Sequence, residues 1–279
     1  MKPRITAMVM VTAYLGFYLG NRYMGSYMLD AASWWVLGHL LVGTFLTSSS
    51  AAILNQVIER QQDSCMERTR HRPIPAGKIT AGRAALLGLS LGAAGVSYLA
   101  VFNNLLTAGL SLATILLYLL VYTPLKKITV WNTLAGAIPG AIPPLGGWVA
   151  ATGSLDAPSW LLFGIIFCWQ IPHFLTIALI YARDYQRGEF RMLPKEYPNS
   201  KVTGYHILFS TLALIGTSSG LFLARLVSMV YAVGAGLLGL GFLTFVLLLF
   251  SRQDPVNARR VMLASIVYLP ILLLLTLVD

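Results

Sequence analysis

Asn55, Glu59 and Asp63 recur at four-residue intervals in the stretch NQVIERQQDSCMERTRHRP, residues 55–73. In a helix, positions i, i+4 and i+8 lie along one face, so this spacing aims three oxygen-bearing side chains the same way. Two carboxylates one turn apart repel each other by some tenths of a kcal/mol (about 0.2–0.5) even on an exposed helix, and by more where water cannot screen them. A cation is therefore needed. Mg²⁺ typically takes one or two carboxylates together with substrate phosphate oxygens and keeps several waters. The plainer alternative is a helix end whose charges meet water or lipid headgroups. Arg68, Arg70 and Arg72 follow, with His71 among them and Lys78 beyond Pro73 and Pro75. The guanidinium fork matches phosphate oxygens, so carboxylates followed by arginines suit a metal next to a diphosphate. For any one of these arginines a headgroup contact is an equal alternative.

Two further polar stretches repeat the theme. YTPLKKITVWN supplies Tyr122, Lys126, Lys127 and Asn132, and YARDYQRGEFRMLPKEYP supplies Arg183, Asp184, Tyr185, Arg187, Glu189, Arg191 and Lys195. Acids flanked by bases thus stand at two helix ends four helices apart, which points to an old repeat of a four-helix unit. Between them, FCWQIPHF places Trp169, Gln170 and His173 inside an apolar run. A polar residue at such depth is a functional candidate by default, with an interhelical hydrogen bond as the alternative for His173. TLAGAIPGAIPPLGGW holds Gly136, Gly140, Gly146 and Gly147 with Pro139, Pro143 and Pro144. These residues are expected to break a helix, which is tolerated at membrane depth where the segment lines a cavity, and their small size leaves room for a bulky ligand.

The elements that position these groups are apolar. Of 279 residues 57% are hydrophobic and 11% charged, against about 25% charged in soluble domains. Nine windows are long enough to span a bilayer at about 20 residues each: 5–20, 32–54, 84–102, 104–123, 133–151, 158–181, 204–224, 227–250 and 258–277. The expected fold is an all-α membrane protein, nine transmembrane helices around a central cavity, forming a single domain over residues 1–279. The first window carries no small-residue cleavage site and reads as a retained helix.

A net charge of +10 would suggest nucleic acid in a soluble protein, but here its distribution decides. With the N-terminus cytoplasmic, 18 of the 20 Lys and Arg residues fall on the cytoplasmic side, from Lys2 and Arg4 to Arg259 and Arg260, leaving Arg22 and Arg225 outside. The positive-inside rule thus orients the chain with its C-terminus on the outer side, and the basicity reports topology rather than nucleic-acid binding. All three polar stretches then face the cytoplasm, where the cavity is expected to open. Cys65 and Cys168 offer no metal spacing and no disulfide.

In these motifs the chain resembles the intramembrane prenyltransferases, which join isoprenoid diphosphates to aromatic or macrocyclic acceptors. Within that superfamily it is most similar to the protohaem IX farnesyltransferase (haem O synthase) family, through NQVIERQQDSCMERTRHRPIPAG, YTPLKKITVWNTLAGAIPGAIPPLGGWVAATG, WQIPHF and DYQRGEFRML in order. The resemblance implies transfer of farnesyl from farnesyl diphosphate to a vinyl group of haem B, giving haem O and diphosphate in a bacterial inner membrane. It implies Mg²⁺ on Asn55, Glu59 and Asp63, with Asp184 acting through a second ion or a water. Diphosphate would meet Arg68, Arg72, Lys126, Lys127 and Arg183. Haem or prenyl contacts would fall to His173, Trp169, Asn132 and Tyr185, and Tyr122, Tyr185 or His173 would guide the water that completes haem O. Expected partners are the two substrates and membrane lipid, with a functional link to haem A synthase or a terminal oxidase. In two respects the chain departs from the superfamily: Gly188 stands where a second acid usually follows Asp184, with Glu189 one residue late, and Glu59 replaces the aspartate of many relatives, which keeps the charge and lengthens the reach. The competing readings are a prenyltransferase for a quinone or other aromatic precursor and, more remotely, a transporter.

Overall fold

A computed structural model describes residues 3–26, 30–198 and 201–279. Lys2 lies outside the described residues, as do the side chain of Arg4 and residues 199 and 200 just after the third polar stretch. Each of the nine apolar windows coincides with a long helix. These are α1 (Pro3–Tyr23), α2 (Ala31–Ile58), α4 (Ala81–Phe102), α5 (Leu105–Leu116) continued through a π turn (Leu117–Tyr122) into α6 (Thr123–Ile128), α7 (Asn132–Thr152), α8 (Ala157–Ile180), α11 (Val202–Leu223), α12 (Met229–Ser251) and α13 (Pro255–Val278). Among the described residues, eight of these helices, from α2 to α13, are long and apolar enough to cross a membrane by length and composition. Short helices α3 (Arg60–Cys65), α9 (Ala182–Arg187) and α10 (Leu193–Glu196) lie in the polar connections.

Helix starts follow the local sequence. The side chains of Asp30, Asn104 and Asp254 each accept the backbone N–H three residues on, from Ser33, Thr107 and Asn257 at 2.9, 2.7 and 2.7 Å, which satisfies donors that no preceding turn can reach. Large apolar side chains cover the outside of the bundle, with Leu105, Leu223 and Val278 each more than three-quarters exposed. That face suits lipid. Where lipid is as apolar as leucine, helices associate by close packing rather than by the hydrophobic effect.

The tightest packing joins α1 to α7. A β-carbon built on Gly16 would lie 1.9 Å from the Pro144 carbonyl oxygen, and one on Gly147 would lie 1.9 Å from that of Ala13. Only glycine permits both approaches.

Two expectations are corrected here. The Gly/Pro-rich segment does not break its helix: α7 runs unbroken from Asn132 to Thr152 with Pro139, Pro143 and Pro144 inside it. Neighbouring helices stabilise such prolines in a membrane, and here α1, α5 and α8 all pack against α7. Three of its glycines are filled rather than open. Gly136 abuts the Tyr122 ring, Gly140 the Gln170 amide and Gly147 the α1 backbone, and only Gly146 borders open space.

The second polar stretch, which the apolar windows place largely between two spans, is mostly helix, and only Thr129–Trp131 connect α6 to α7. Pro124 has no N–H and its ring would collide with the carbonyl four residues back. The wider π turn just before it absorbs the mismatch.

Candidate active site at the polar end of the bundle

Asn55 belongs to the last turn of α2, Glu59 sits at the α2–α3 junction and Asp63 lies in α3. The i→i+4 bonds persist across the junction, from Glu59 N–H to Asn55 O at 2.9 Å and from Asp63 N–H to Glu59 O at 2.8 Å. The helical register therefore carries through, and all three side chains are buried, Asn55 and Asp63 completely. Burying carboxylates costs several kcal/mol each (order of magnitude) unless they are paired, and each has a partner from another segment. Lys126 Nζ lies 2.6 Å from Glu59 Oε1, and an Arg72 guanidinium nitrogen lies 2.6 Å from Asp63 Oδ2. Asp63 is still incompletely satisfied: its Oδ1 is buried with no hydrogen-bond partner. The Asp63 backbone carbonyl accepts from the Thr69 hydroxyl at 2.9 Å, fixing the turn that returns Arg72 to its carboxylate.

Lys126 also lies over the Tyr122 ring, 4.3 Å from its centroid, and nearer the Phe190 ring than 6 Å. Such faces attract a cation. Tyr122 is thereby placed under the Lys126–Glu59 pair, with its ring against Gly136 of α7.

The third stretch closes over the first. Asp184 accepts from the backbone N–H groups of Glu67 at 3.3 Å and Arg68 at 3.2 Å, one on each oxygen. Arg187 pairs with Glu67 and Asp184 at 3.6 and 3.7 Å, at the surface. The Arg68 guanidinium stands over the Tyr181 and Tyr185 rings and reaches the Tyr185 hydroxyl at 3.4 Å. Beneath these polar ties Met66, Ala178, Phe190 and Met192 form a small apolar core with Tyr185 packed against it. A β-carbon on Gly188 would press on Met66 at 3.1 Å, so a second acid there would require that core to shift. Glu189 is exposed and takes positive φ, 57°, at the turn.

The second and third stretches are tied as well. The Arg191 N–H donates to Lys126 O at 2.7 Å, and Asn132 Nδ2 donates to the carbonyls of Thr129 and Arg191 at 2.6 and 2.5 Å. Thus Asn55, Glu59, Asp63, Arg68, Arg72, Tyr122, Lys126, Asn132, Asp184 and Tyr185 gather at one end of the bundle. Lys127 and Arg183 are exposed at that end.

His173 and Trp169 do not join this cluster. His173 Nδ1 meets the Ser265 hydroxyl at 2.8 Å and Trp169 Nε1 donates to Ser265 O at 2.8 Å, the two rings stacked with centroids 5.1 Å apart. Both therefore tie α8 to α13. Thr123, Thr69, Met66 and Phe190 were not anticipated. The Pro following Thr123 marks a helix irregularity, but no sequence signal distinguishes the other three from ordinary packing residues.

Comparison with known proteins gives a consistent picture. The model of the UbiA prenyltransferase family matches residues 9–269. The chain is 41% identical to a protoheme IX farnesyltransferase of Solibacter usitatus, over all of this chain and 96% of the relative. It is 42% identical to one of Sorangium cellulosum, over 95% of this chain and 97% of the relative. Among solved structures, a digeranylgeranylglyceryl phosphate synthase superposes with a TM-score of 0.80 at 16% identity, over 97% of this chain and 92% of that one. A UbiA homologue from Archaeoglobus fulgidus bound to DMAPP and Mg²⁺ superposes with a TM-score of 0.68 at 13% identity, over 99% of each chain. At those identities the structural likeness shows the fold alone. The family match over nearly the whole chain and the full-length relatives carry the assignment: the chain belongs to the UbiA prenyltransferase family.

Proposed function

We propose that the chain, as a single domain over residues 1–279, transfers the farnesyl group of farnesyl diphosphate to a vinyl group of haem B, giving haem O and diphosphate. The observation that carries this reading is a fully buried Asp63 with one oxygen on Arg72 and the other without a partner, in a chain similar over its full length to protoheme IX farnesyltransferases.

The donor set fits Mg²⁺. Among the described residues no three His, Cys, Asp or Glu side chains form a closed cage, and Mg²⁺ does not need one, because it completes its shell with phosphate oxygens and water. Asn55, Glu59 and Asp63 would hold it, with Asp184 contributing through water or a second ion. When bound, it supplies positive charge against the diphosphate oxygens.

The chain's own residues do the rest. Arg72, Lys126 and Arg68 place positive charge at the mouth, with Lys127 and Arg183 exposed beside them, and donors fixed before the reaction stabilise charge that develops on a leaving diphosphate. Lys126 is held by Glu59 and by two aromatic rings, so its ammonium is already in position. The farnesyl C1–O bond breaks with its electron pair going to diphosphate, and the vinyl π electrons form the new bond to C1. Water then adds at the adjacent carbon and loses a proton, with Tyr122 or Tyr185 to guide it. The apolar helix faces beneath the polar end keep other water away from the allylic carbon, where it would quench the cation. His173 and Trp169, locked to Ser265 at the seam of α8 and α13, would border the haem or prenyl group in this reading.

The polar end faces the cytoplasm of a bacterial inner membrane in this reading, with nine spans including α1. The product would pass to haem A synthase or a terminal oxidase. Incubating membranes containing the chain with haem B and farnesyl diphosphate, with and without Mg²⁺, and weighing the extracted haem tests the proposal. Haem O appearing only with the metal is the expected result. Prenylation of a quinone precursor with haem B left untouched would favour the alternative acceptor.

A further inference from the structure

The bonds at the seam of α8 and α13 decide which nitrogen of His173 is left over. The fully buried Ser265 hydroxyl donates its one proton to the Met262 carbonyl, a turn back on α13, at 2.6 Å. A carbonyl oxygen only accepts, so that proton is committed. The 2.8 Å contact between Ser265 Oγ and His173 Nδ1 can then be made only if Nδ1 carries a hydrogen and donates it. A neutral imidazole protonated on Nδ1 keeps a lone pair on Nε2. The ring is also held in its plane. Trp169 stacks on it with planes 14° apart, Phe174 meets it edge-on with centroids 5.5 Å apart, and the Trp169 indole is itself tied to the Ser265 carbonyl.

Nε2 takes no hydrogen bond among the described residues, and His173 is only half-buried, so the lone pair is not closed off as Asp63 Oδ1 is. Helical spacing places His173 between Trp169, bound to α13, and Gln170, packed on Gly140 of α7, and away from the lipid face that exposes Trp160. Both α7 and α13 pack along α8 but barely against each other, so the ring stands at the gap between them. From His173 to Ile180, the last residue of α8, a rise of 1.5 Å per residue sets the ring about 10 Å below the polar end.

We propose that His173 Nε2 is the axial ligand of the haem iron when the acceptor binds, with Ser265 as the positioning residue that keeps the imidazole proton on Nδ1. This rests on the reading of haem B as the acceptor. Imidazole is the commonest protein ligand for metals, and a ligating histidine almost always gives its other N–H to a fixed acceptor, the part Ser265 plays here. Coordination passes the Nε2 lone pair to iron and releases no proton, since Nε2 carries none. A haem held by its centre below the polar end can extend its edge, where the vinyl groups lie, toward the diphosphate site.

The test titrates haem B into the detergent-purified full chain without farnesyl diphosphate and reads its absorption and electron paramagnetic resonance spectra, for wild type, His173→Ala and Ser265→Ala. Metal-free protoporphyrin, titrated in parallel, has the same shape and no iron. Wild type should show a histidine-ligated haem, His173→Ala should lose that signature, and added imidazole should restore it. Should alanine fail to insert, His173→Gln removes the ring nitrogens at similar size and is read in its place. Ser265→Ala should lower haem affinity about tenfold or more and leave metal-free protoporphyrin unaffected. A wild-type haem spectrum without a histidine signature, or one unchanged by loss of His173, overturns the ligand assignment, whether or not the same preparation forms haem O. Equal losses for haem and metal-free protoporphyrin in Ser265→Ala mark that residue as structural only and overturn its positioning role. Histidine-ligated haem in a preparation that forms no haem O overturns the function reading instead and leaves the ligand standing.

Discussion

Asp63 and Asp279 are buried carboxylates at opposite ends of the same bundle, and they are satisfied in different ways. Asp279 receives the Ser228 N–H at 2.6 Å, the Ser228 hydroxyl, the Tyr231 N–H at 3.2 Å and, at 3.7 Å, the Arg22 guanidinium. Both of its oxygens are occupied, and it clips α1, α12 and α13 together. Asp63 has one strong cationic partner on Oδ2 and nothing on Oδ1. Leaving a buried acceptor unmet costs about 1–3 kcal/mol, and native structures tolerate that where the atom has another task. A saturated carboxylate reads as a fastening, and a buried one with a spare oxygen reads as a binding site.

The largest effect that separates the two is expected at the polar end. Asp63→Ala should lower Mg²⁺-dependent haem O formation by a factor of about a thousand or more while the chain still inserts in the membrane, as extracted-haem analysis and membrane fractionation would show. Lys126→Met comes next. It leaves Glu59 buried without its cation, a loss of about 3–5 kcal/mol for a broken buried pair, and it removes the diphosphate contact proposed for Lys126. A drop in kcat/KM for farnesyl diphosphate of about a hundredfold, together with a lower melting temperature, is the expected outcome. Gly147→Leu should leave the chemistry in place but force α1 away from α7, costing about 1–3 kcal/mol. Thermal unfolding in detergent would register this, and an unshifted transition would contradict the close α1–α7 packing.

Asp279→Asn should have the smallest effect, about 1 kcal/mol of stability with turnover within about twofold. Burial pushes the Asp279 carboxyl up, but the Ser228 donors, the Tyr231 N–H and Arg22 outweigh it and hold the group below the usual carboxylate range. Because the folded value is the lower one, this stabilisation is present above the unfolded value of about 3.9 and is lost as pH falls through the folded one. Melting curves of wild type and Asp279→Asn should accordingly diverge above about pH 4 and converge in stronger acid.

Much of the architecture could be read from the sequence, because lipid imposes a strong signal: runs of about 20 apolar residues fell on all nine long helices. The Asn55–Glu59–Asp63 spacing was equally readable, since helical periodicity acts locally and survived the α2–α3 junction. What could not be read was set by contacts between distant segments. That Lys126 would pair with Glu59, 67 positions away, follows from how α6 meets α2. The prolines of α7 pointed to a break because their local cost is real, whereas its continuity depends on α1, α5 and α8 packed around it. His173 carried the signature of a functional residue, but the structure gives it a partner in Ser265 on a helix whose sequence does not announce one.

The most direct test is a paired measurement of Mg²⁺-dependent farnesyl transfer to haem B by Asp63→Asn and Asp279→Asn, each in membranes holding equal amounts of inserted protein. Each substitution replaces one carboxylate oxygen by an NH₂ group and removes the charge with little change of size. Transfer abolished in Asp63→Asn and retained within about twofold in Asp279→Asn is the predicted result; near-normal transfer by Asp63→Asn, or equal losses in both, would contradict it.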